Sequence, residues 1–174
     1  TGNIGKSQDL ESLVKAVSLI QNKNFEIRLI GDGRNKDSLL KLVANMKLNN
    51  SIRFFDSVSP KELMKYYEES HFLYFSLKNT PLFEKTVPAK FQTYMAVAIP
   101  VIGFVSGESY DLIKKNELGF ACKSEKPEKL SNIFEELTSL KDEDYQKMKL
   151  NCRSLYDNEF HSRKRMHDLE YLLK

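Results

Sequence analysis

Pro88, Ala89 and Lys90 open a short amphipathic run, 88–96, that leads into an apolar stretch begun by Pro100. Proline suits the first turn of a helix, where its missing N–H would have no partner. The free N–H groups of such a turn, with the Lys90 cation beside them, can seat a phosphate. An ordinary capped helix uses the same residues. Gly5-Lys6-Ser7 places a second cation among small residues ahead of a helix, as a phosphate-cradling P-loop does. The Gly that a P-loop requires five positions earlier would fall before Thr1. Gly31-Asp32-Gly33 closes an apolar strand and precedes a helix. Glycines there allow close backbone approach to a ligand, and a plain turn needs them equally.

Other reactive side chains are scattered. His71, His161 and His167 do not cluster in sequence, and Glu135-Glu136 and Asp142-Glu143-Asp144 read as solvated helix faces. Cys122 and Cys152 have neither metal-ligand spacing nor a disulfide framework, which points to a reducing cytoplasm. No metal or cofactor is expected, and no catalytic residue is assigned.

The elements that must hold these residues alternate. Leu10, Leu13, Val14, Val17 and Ile20 share a helical face. A strand is expected from Phe25 to Ile30, a helix around Leu39–Met46, and a strand from Ile52 to Phe55. Ser59-Pro60-Lys61-Glu62 is a capping box with proline at the first helical position. Strands follow at Phe72–Ser76, Pro100–Phe104 and Phe120–Lys123, with helices at Pro88–Ala96 and Ser109–Lys115. Helices at Pro127–Leu140, Asp144–Asn158 and His161–Lys174 close the chain. This alternation predicts an α/β fold, a Rossmann-like, doubly wound parallel sheet with extra C-terminal helices. Such sheets bind ligands at the carboxyl ends of their strands. The 77–87 connection is long for this class, and long ordered loops are often functional.

The 81–101 run resembles the donor-sugar loop of bacterial GT-B glycosyltransferases of the group 1 (family 4) type. There a Pro-Leu-Phe loop leads to Pro-Ser-Lys, a Glu-Ala-Met or Glu-Tyr-Met helix and a Pro-Val strand. Here the same places hold Pro81-Leu82-Phe83, Pro88-Ala89-Lys90, Thr93-Tyr94-Met95 and Pro100-Val101. Thr1 to Gln8 resembles a Gly-Asn-Ile-Gly-Lys-Ala-Gln-Gly loop of one branch, the one associated with capsule and O-antigen assembly. The resemblance implies donor diphosphate binding by Gly5, Lys6, Ala89 and Lys90, and a donor-sugar loop at Leu82, Phe83, Glu84 and Lys85. It implies nucleotide and ribose contacts at Gly31, Asp32, Gly33, Ser57, Val58 and Thr93.

Three departures stand out. Asn3 and Gln8 replace the Arg and Lys of typical members. Asp56 replaces the Gly of a Phe-x-Gly-x-Val pattern. Lys85 and Thr93 stand where typical members have two glutamates, and a carboxylate suits a ribose diol because it accepts two O–H donors at once. The resemblance implies a retaining transferase with no obligatory metal. It would move sugar from a UDP-type donor to a lipid-linked acceptor at the cytoplasmic membrane face. Lys90, Lys6 and helix amides would stabilise the leaving diphosphate. Two other classes stay open, a P-loop-like NTPase and a non-catalytic Rossmann-like module.

At 174 residues the chain is read as one domain, 1–174, with a helical extension over 141–174. A net charge of +3 is too small to argue for nucleic acid and suits one bound diphosphate or weak attraction to an anionic membrane. Arg163, Lys164 and Arg165 would pack against a partner domain, with a membrane surface as the weaker reading. The apolar segment Tyr94–Val105 is too short to span a bilayer, and no leader-like run opens the sequence. Thr1-Gly2-Asn3-Ile4-Gly5 reads as a loop that follows a strand, so an upstream strand and an N-terminal acceptor domain are expected to precede it. Alone, the chain is expected to bind nucleotide weakly and to transfer nothing.

Overall fold

The computed structural model describes residues 1–124 and 126–160; the basic stretch 161–174, with its predicted helix, lies outside the described residues. Among the described residues, five short strands alternate with eight α-helices. The strands are β1 (Ile27–Ile30), β2 (Ile52–Phe55), β3 (Leu73–Ser76), β4 (Val101–Phe104) and β5 (Gly119–Cys122). The helices are α1 (Leu10–Leu19), α2 (Lys36–Asn45), α3 (Pro60–Glu68), α4 (Pro81–Glu84), α5 (Ala89–Ala96), α6 (Glu108–Lys115), α7 (Pro127–Glu136) and α8 (Asp142–Leu155). All strand pairs are parallel, as βα alternation requires.

Strand parity sorts the core into two layers. In β4 every residue is buried, but Ile102 and Phe104 join Leu13, Val14 and Val17 of α1 and Leu130 of α7. Val101 and Val105 point the other way, to Phe91 and Met95 of α5, Ile113 of α6 and Cys152 of α8. Side chains alternate across a strand, so one apolar run feeds both layers and helices cover both faces. The α8 helix buries Cys152 and Leu155 in the second layer, so this part of 141–174 is core packing.

The local start signals act as expected at α3. The Glu62 N–H donates to Ser59 Oγ at 3.3 Å and the Ser59 N–H donates to Glu62 Oε2 at 2.9 Å, with Pro60 at the first helical position. Four details differ from the sequence reading. The strands form two ladders, β1–β2 and β3–β4–β5, and not one continuous sheet. The 77–87 loop contains α4, capped by the Thr80 hydroxyl, which accepts from the Phe83 N–H. Pro88 is the N-cap of α5 and not part of its first turn: its ψ of 144° is extended, and its carbonyl accepts from the Phe91 N–H. Phe25 leaves the ladder and stacks on Phe134 with ring centroids 5.2 Å apart.

Candidate functional site

The loop 2–8 lies against the carboxyl ends of β1 and β3. The Gly2 N–H donates to the Ile30 carbonyl at 2.9 Å and the Ile4 N–H to the Asp32 carbonyl at 2.8 Å. On its other side the Lys78 N–H donates to the Ser7 carbonyl at 3.0 Å, and the Ser76 hydroxyl donates to the Gln8 carbonyl. The loop is therefore bonded to the ends of both ladders.

Gly31 and Gly33 make this possible. Both have positive φ, and a Cβ on Gly31 would overlap the Gly2 carbonyl oxygen. A Cβ on Gly33 would overlap the Ile4 carbonyl. The close backbone approach anticipated for this turn is thus made to the 2–4 segment. Asp32 is exposed, and one carboxylate oxygen accepts from the Gly33 N–H at 2.8 Å.

The two expected diphosphate elements meet. Lys90, in the first turn of α5, donates from Nζ to Gln8 Oε1 at 2.8 Å, joining positions 82 residues apart. Burial holds the Lys90 ammonium below its ordinary pKa. Its partner is a neutral amide, so a desolvated cation rests here on a weak acceptor. Ala89 is exposed beside it, and the amides of Ala89 and Lys90 belong to the first turn, which has no intrahelical acceptors for them. Lys6 is exposed in a 3₁₀ turn, Lys6–Gln8, and among the described residues its ammonium has no ion pair. Asp9 follows with φ 47°, a left-handed residue between that turn and α1.

The expected donor-sugar loop is folded against the body. Ser109 Oγ donates to the Thr86 carbonyl at 2.8 Å, and Phe83 packs on the second core layer. Gly107, with φ 65°, lies under α4, where a Cβ would overlap the Glu84 backbone. Leu82, Glu84 and Lys85 are exposed, Leu82 at 72%. Thr93 is exposed on α5, one turn beyond Lys90.

At the β2 end, Ser57 is exposed and Val58 half-buried. The structure adds a pair there. Lys36 Nζ lies 2.8 Å from Asp56 Oδ1, which holds the Asp56 carboxyl below and the Lys36 ammonium above its ordinary range. This ties α2 to the end of β2. Gly107, Ser109 and Lys36 were not singled out from the sequence. A glycine directly between an apolar strand and a helix was the one available signal, at Gly107.

Among the described residues, no group of three or more His, Cys, Asp or Glu is placed to hold a metal ion. No helix among them is long and apolar enough to cross a membrane.

The family model for group 1 glycosyl transferases matches residues 1–154. No curated protein matches the chain. Among solved structures, Alr3699/HepE from Anabaena, crystallised with UDP, superposes with a TM-score of 0.82 at 13% identity, over 99% of this chain and 47% of that one. A glycosyltransferase from Rickettsia africae gives 0.79 at 20% identity, over 99% and 47%. The C-terminal domain of the group 1 glycosyl transferase LpcC from Francisella tularensis gives 0.74 at 18% identity, over 93% and 84%. The fold is that of a Rossmann-like C-terminal domain of the GT-B type. The chain spans about half the length of the Anabaena and Rickettsia proteins.

Proposed function

The chain belongs to the group 1 glycosyl transferases, and on that premise we propose that it is the donor-binding half of such an enzyme, taking a UDP-type sugar nucleotide. The observation that carries the reading is the Lys90–Gln8 contact. It draws the first turn of α5 and the 5–8 loop to one point above the strand ends, where a doubly wound sheet binds its ligand. A diphosphate there would accept from the first-turn amides and give Lys90 an anionic partner. Lys6 would reach it from the opposite loop.

On this reading Gly31–Gly33 and Ser57–Val58 flank the nucleoside, Thr93 faces the ribose, and Leu82–Lys85 border the sugar. Electrostatic stabilisation of the departing diphosphate is the chemistry these groups can supply. We place the enzyme in a family 4, capsule or O-antigen branch, acting with retention and without an obligatory metal. Its acceptor would be a lipid-linked saccharide at the inner face of the membrane, held by an N-terminal domain. The Anabaena protein has been crystallised with UDP and with UDP-glucose, which supports the donor class.

Titration with UDP, UDP-N-acetylglucosamine and ATP, with and without magnesium, tests the proposal by protein-observed NMR. Metal-independent shifts at Gly31–Gly33 and Ala89–Thr93 on adding UDP are expected. Magnesium-dependent ATP binding at Gly5–Ser7 would overturn it in favour of a P-loop-like site. No binding to any of the three would favour a non-catalytic module.

A further inference from the structure

Two contacts hold the start of α6 against the 81–87 loop, and one residue stands between them. Gly107, the N-cap of α6, lies so close to Glu84 that a Cβ would overlap its backbone. Ser109 is buried, and its Oγ donates to the Thr86 carbonyl at 2.8 Å. Glu108 sits between these two docked positions, so its backbone borders the same loop residues, 84–86. Its side chain is exposed, and among the described residues its carboxylate has neither an ion pair nor a hydrogen bond.

The winding of α6 sets the direction of that carboxylate. Ser109 and Ile113 face the core. Tyr110 lies on one flank, where Lys123 Nζ, just past β5, comes within 6.0 Å of its ring centroid. Glu108 falls about 200° around the helix from Tyr110, on the opposite flank. The half-buried Leu112 packs on the second core layer on that side. In the ladder β4 has β5 on one edge and β3 on the other. The flank turned away from β5 therefore faces β3 and the loop that follows it.

We propose that Glu108 reads the sugar of the bound donor, its carboxylate accepting the O–H groups of a vicinal diol. This rests on the donor-binding reading and names what recognises the sugar within that site. A carboxylate accepts two O–H donors at once, and its hydrogen bonds are stronger than those of a neutral acceptor. Glu108 has no protein partner to relinquish when a sugar arrives. Like charges repel, so a carboxylate serves a donor only away from its diphosphate. Glu108 borders 84–86, the proposed sugar side, and Lys90 is bonded elsewhere, to Gln8. An acid in a first helical turn also suits the helix dipole. Asp111 is an exposed acid in that same turn, further along from the loop, and supplies the control for that role.

Calorimetry on the 1–174 chain tests this with UDP, UDP-glucose and UDP-N-acetylglucosamine. The proteins are the unsubstituted chain, Glu108→Ala, Glu108→Gln and Asp111→Ala. At least one sugar nucleotide is expected to bind the unsubstituted chain more tightly than UDP does. Glu108→Ala should weaken that ligand about 10-fold while UDP stays within about 2-fold, and Glu108→Gln, which keeps one neutral acceptor, should lose less. Asp111→Ala should match the unsubstituted chain for all three ligands. Unchanged sugar-nucleotide affinity in Glu108→Ala would overturn the proposal. So would an equal loss for UDP, which marks a displaced loop, or an equal loss in Asp111→Ala, which marks a general effect of charge. UDP and both sugar nucleotides binding alike to the unsubstituted chain would overturn it too, with the donor site left standing. Absence of UDP binding would bring down the donor-binding reading itself, and this inference with it.

Discussion

Gly107→Ala is predicted to release the 81–87 loop from the body without unfolding the protein. Gly107 has φ 65° and ψ −141°, a region that residues with a Cβ almost never occupy, and the added methyl would overlap the Glu84 backbone. Keeping the native geometry would therefore cost about 1–3 kcal/mol in backbone strain and about 1–3 kcal/mol more in overpacking. The loop has a cheaper escape. Its attachments include the Ser109–Thr86 hydrogen bond, worth about 1 kcal/mol net, and the half-buried Phe83 and Val87 side chains, worth about 1 kcal/mol each. Undocking loses about 3 kcal/mol, inside the about 2–6 kcal/mol that keeping the native geometry would cost, and it removes the overlap while freeing the 106–108 backbone to leave the strained region, so it is the expected outcome. The melting temperature should fall by about 6–12 °C for a chain of this size. NMR shifts should concentrate in 80–87 and 106–110, while those of α1 and α7 stay put. An unchanged melting temperature with native shifts across 80–87 would refute the reasoning.

We further predict that Lys90→Met will hold or slightly raise stability, because it removes a desolvated cation whose partner is neutral, yet weaken UDP binding by about 10-fold or more. Equal affinity by calorimetry would count against Lys90 as a diphosphate ligand. Thr93→Glu places a carboxylate on the exposed face of α5 near the expected ribose. It should tighten UDP by about 10-fold, and no gain in a titration would argue that the ribose lies elsewhere.

The parts of the fold that were legible are those set by neighbours in sequence. The α1 face follows from a 3.6-residue repeat, and α3 from a serine and glutamate three apart with proline between them. Thr80-Pro81 carries much the same start signal as Ser59-Pro60, so α4 could have been found by applying the rule consistently. What could not be read depends on contacts far apart along the chain. Pairing decides that β1 and β3 share no ladder, and the overlap of Gly107 with Glu84 joins segments with no common pattern. At Gly31 and Gly33 the residue type signalled close approach, but not that Gly2–Ile4 is what approaches.

The departures from the family pattern bear on one another once the site is assembled. A glutamine at position 8 looks, in sequence, like a lost cation. In the fold its amide oxygen is the partner of Lys90, which a lysine or arginine there would repel and displace. On the proposed reading, the site thus concentrates its phosphate-directed charge on one desolvated ammonium, with Lys6 free in the opposite loop. An arrangement of that kind favours an anion most when the cation it meets has the poorest alternative partner. A diphosphate that replaced the Gln8 amide would raise the Lys90 pKa toward its ordinary value, so binding near that depressed pKa should take up a proton. Calorimetry in buffers of different ionisation enthalpy reads that proton directly. Release of a proton on UDP binding would contradict the role argued here for Lys90.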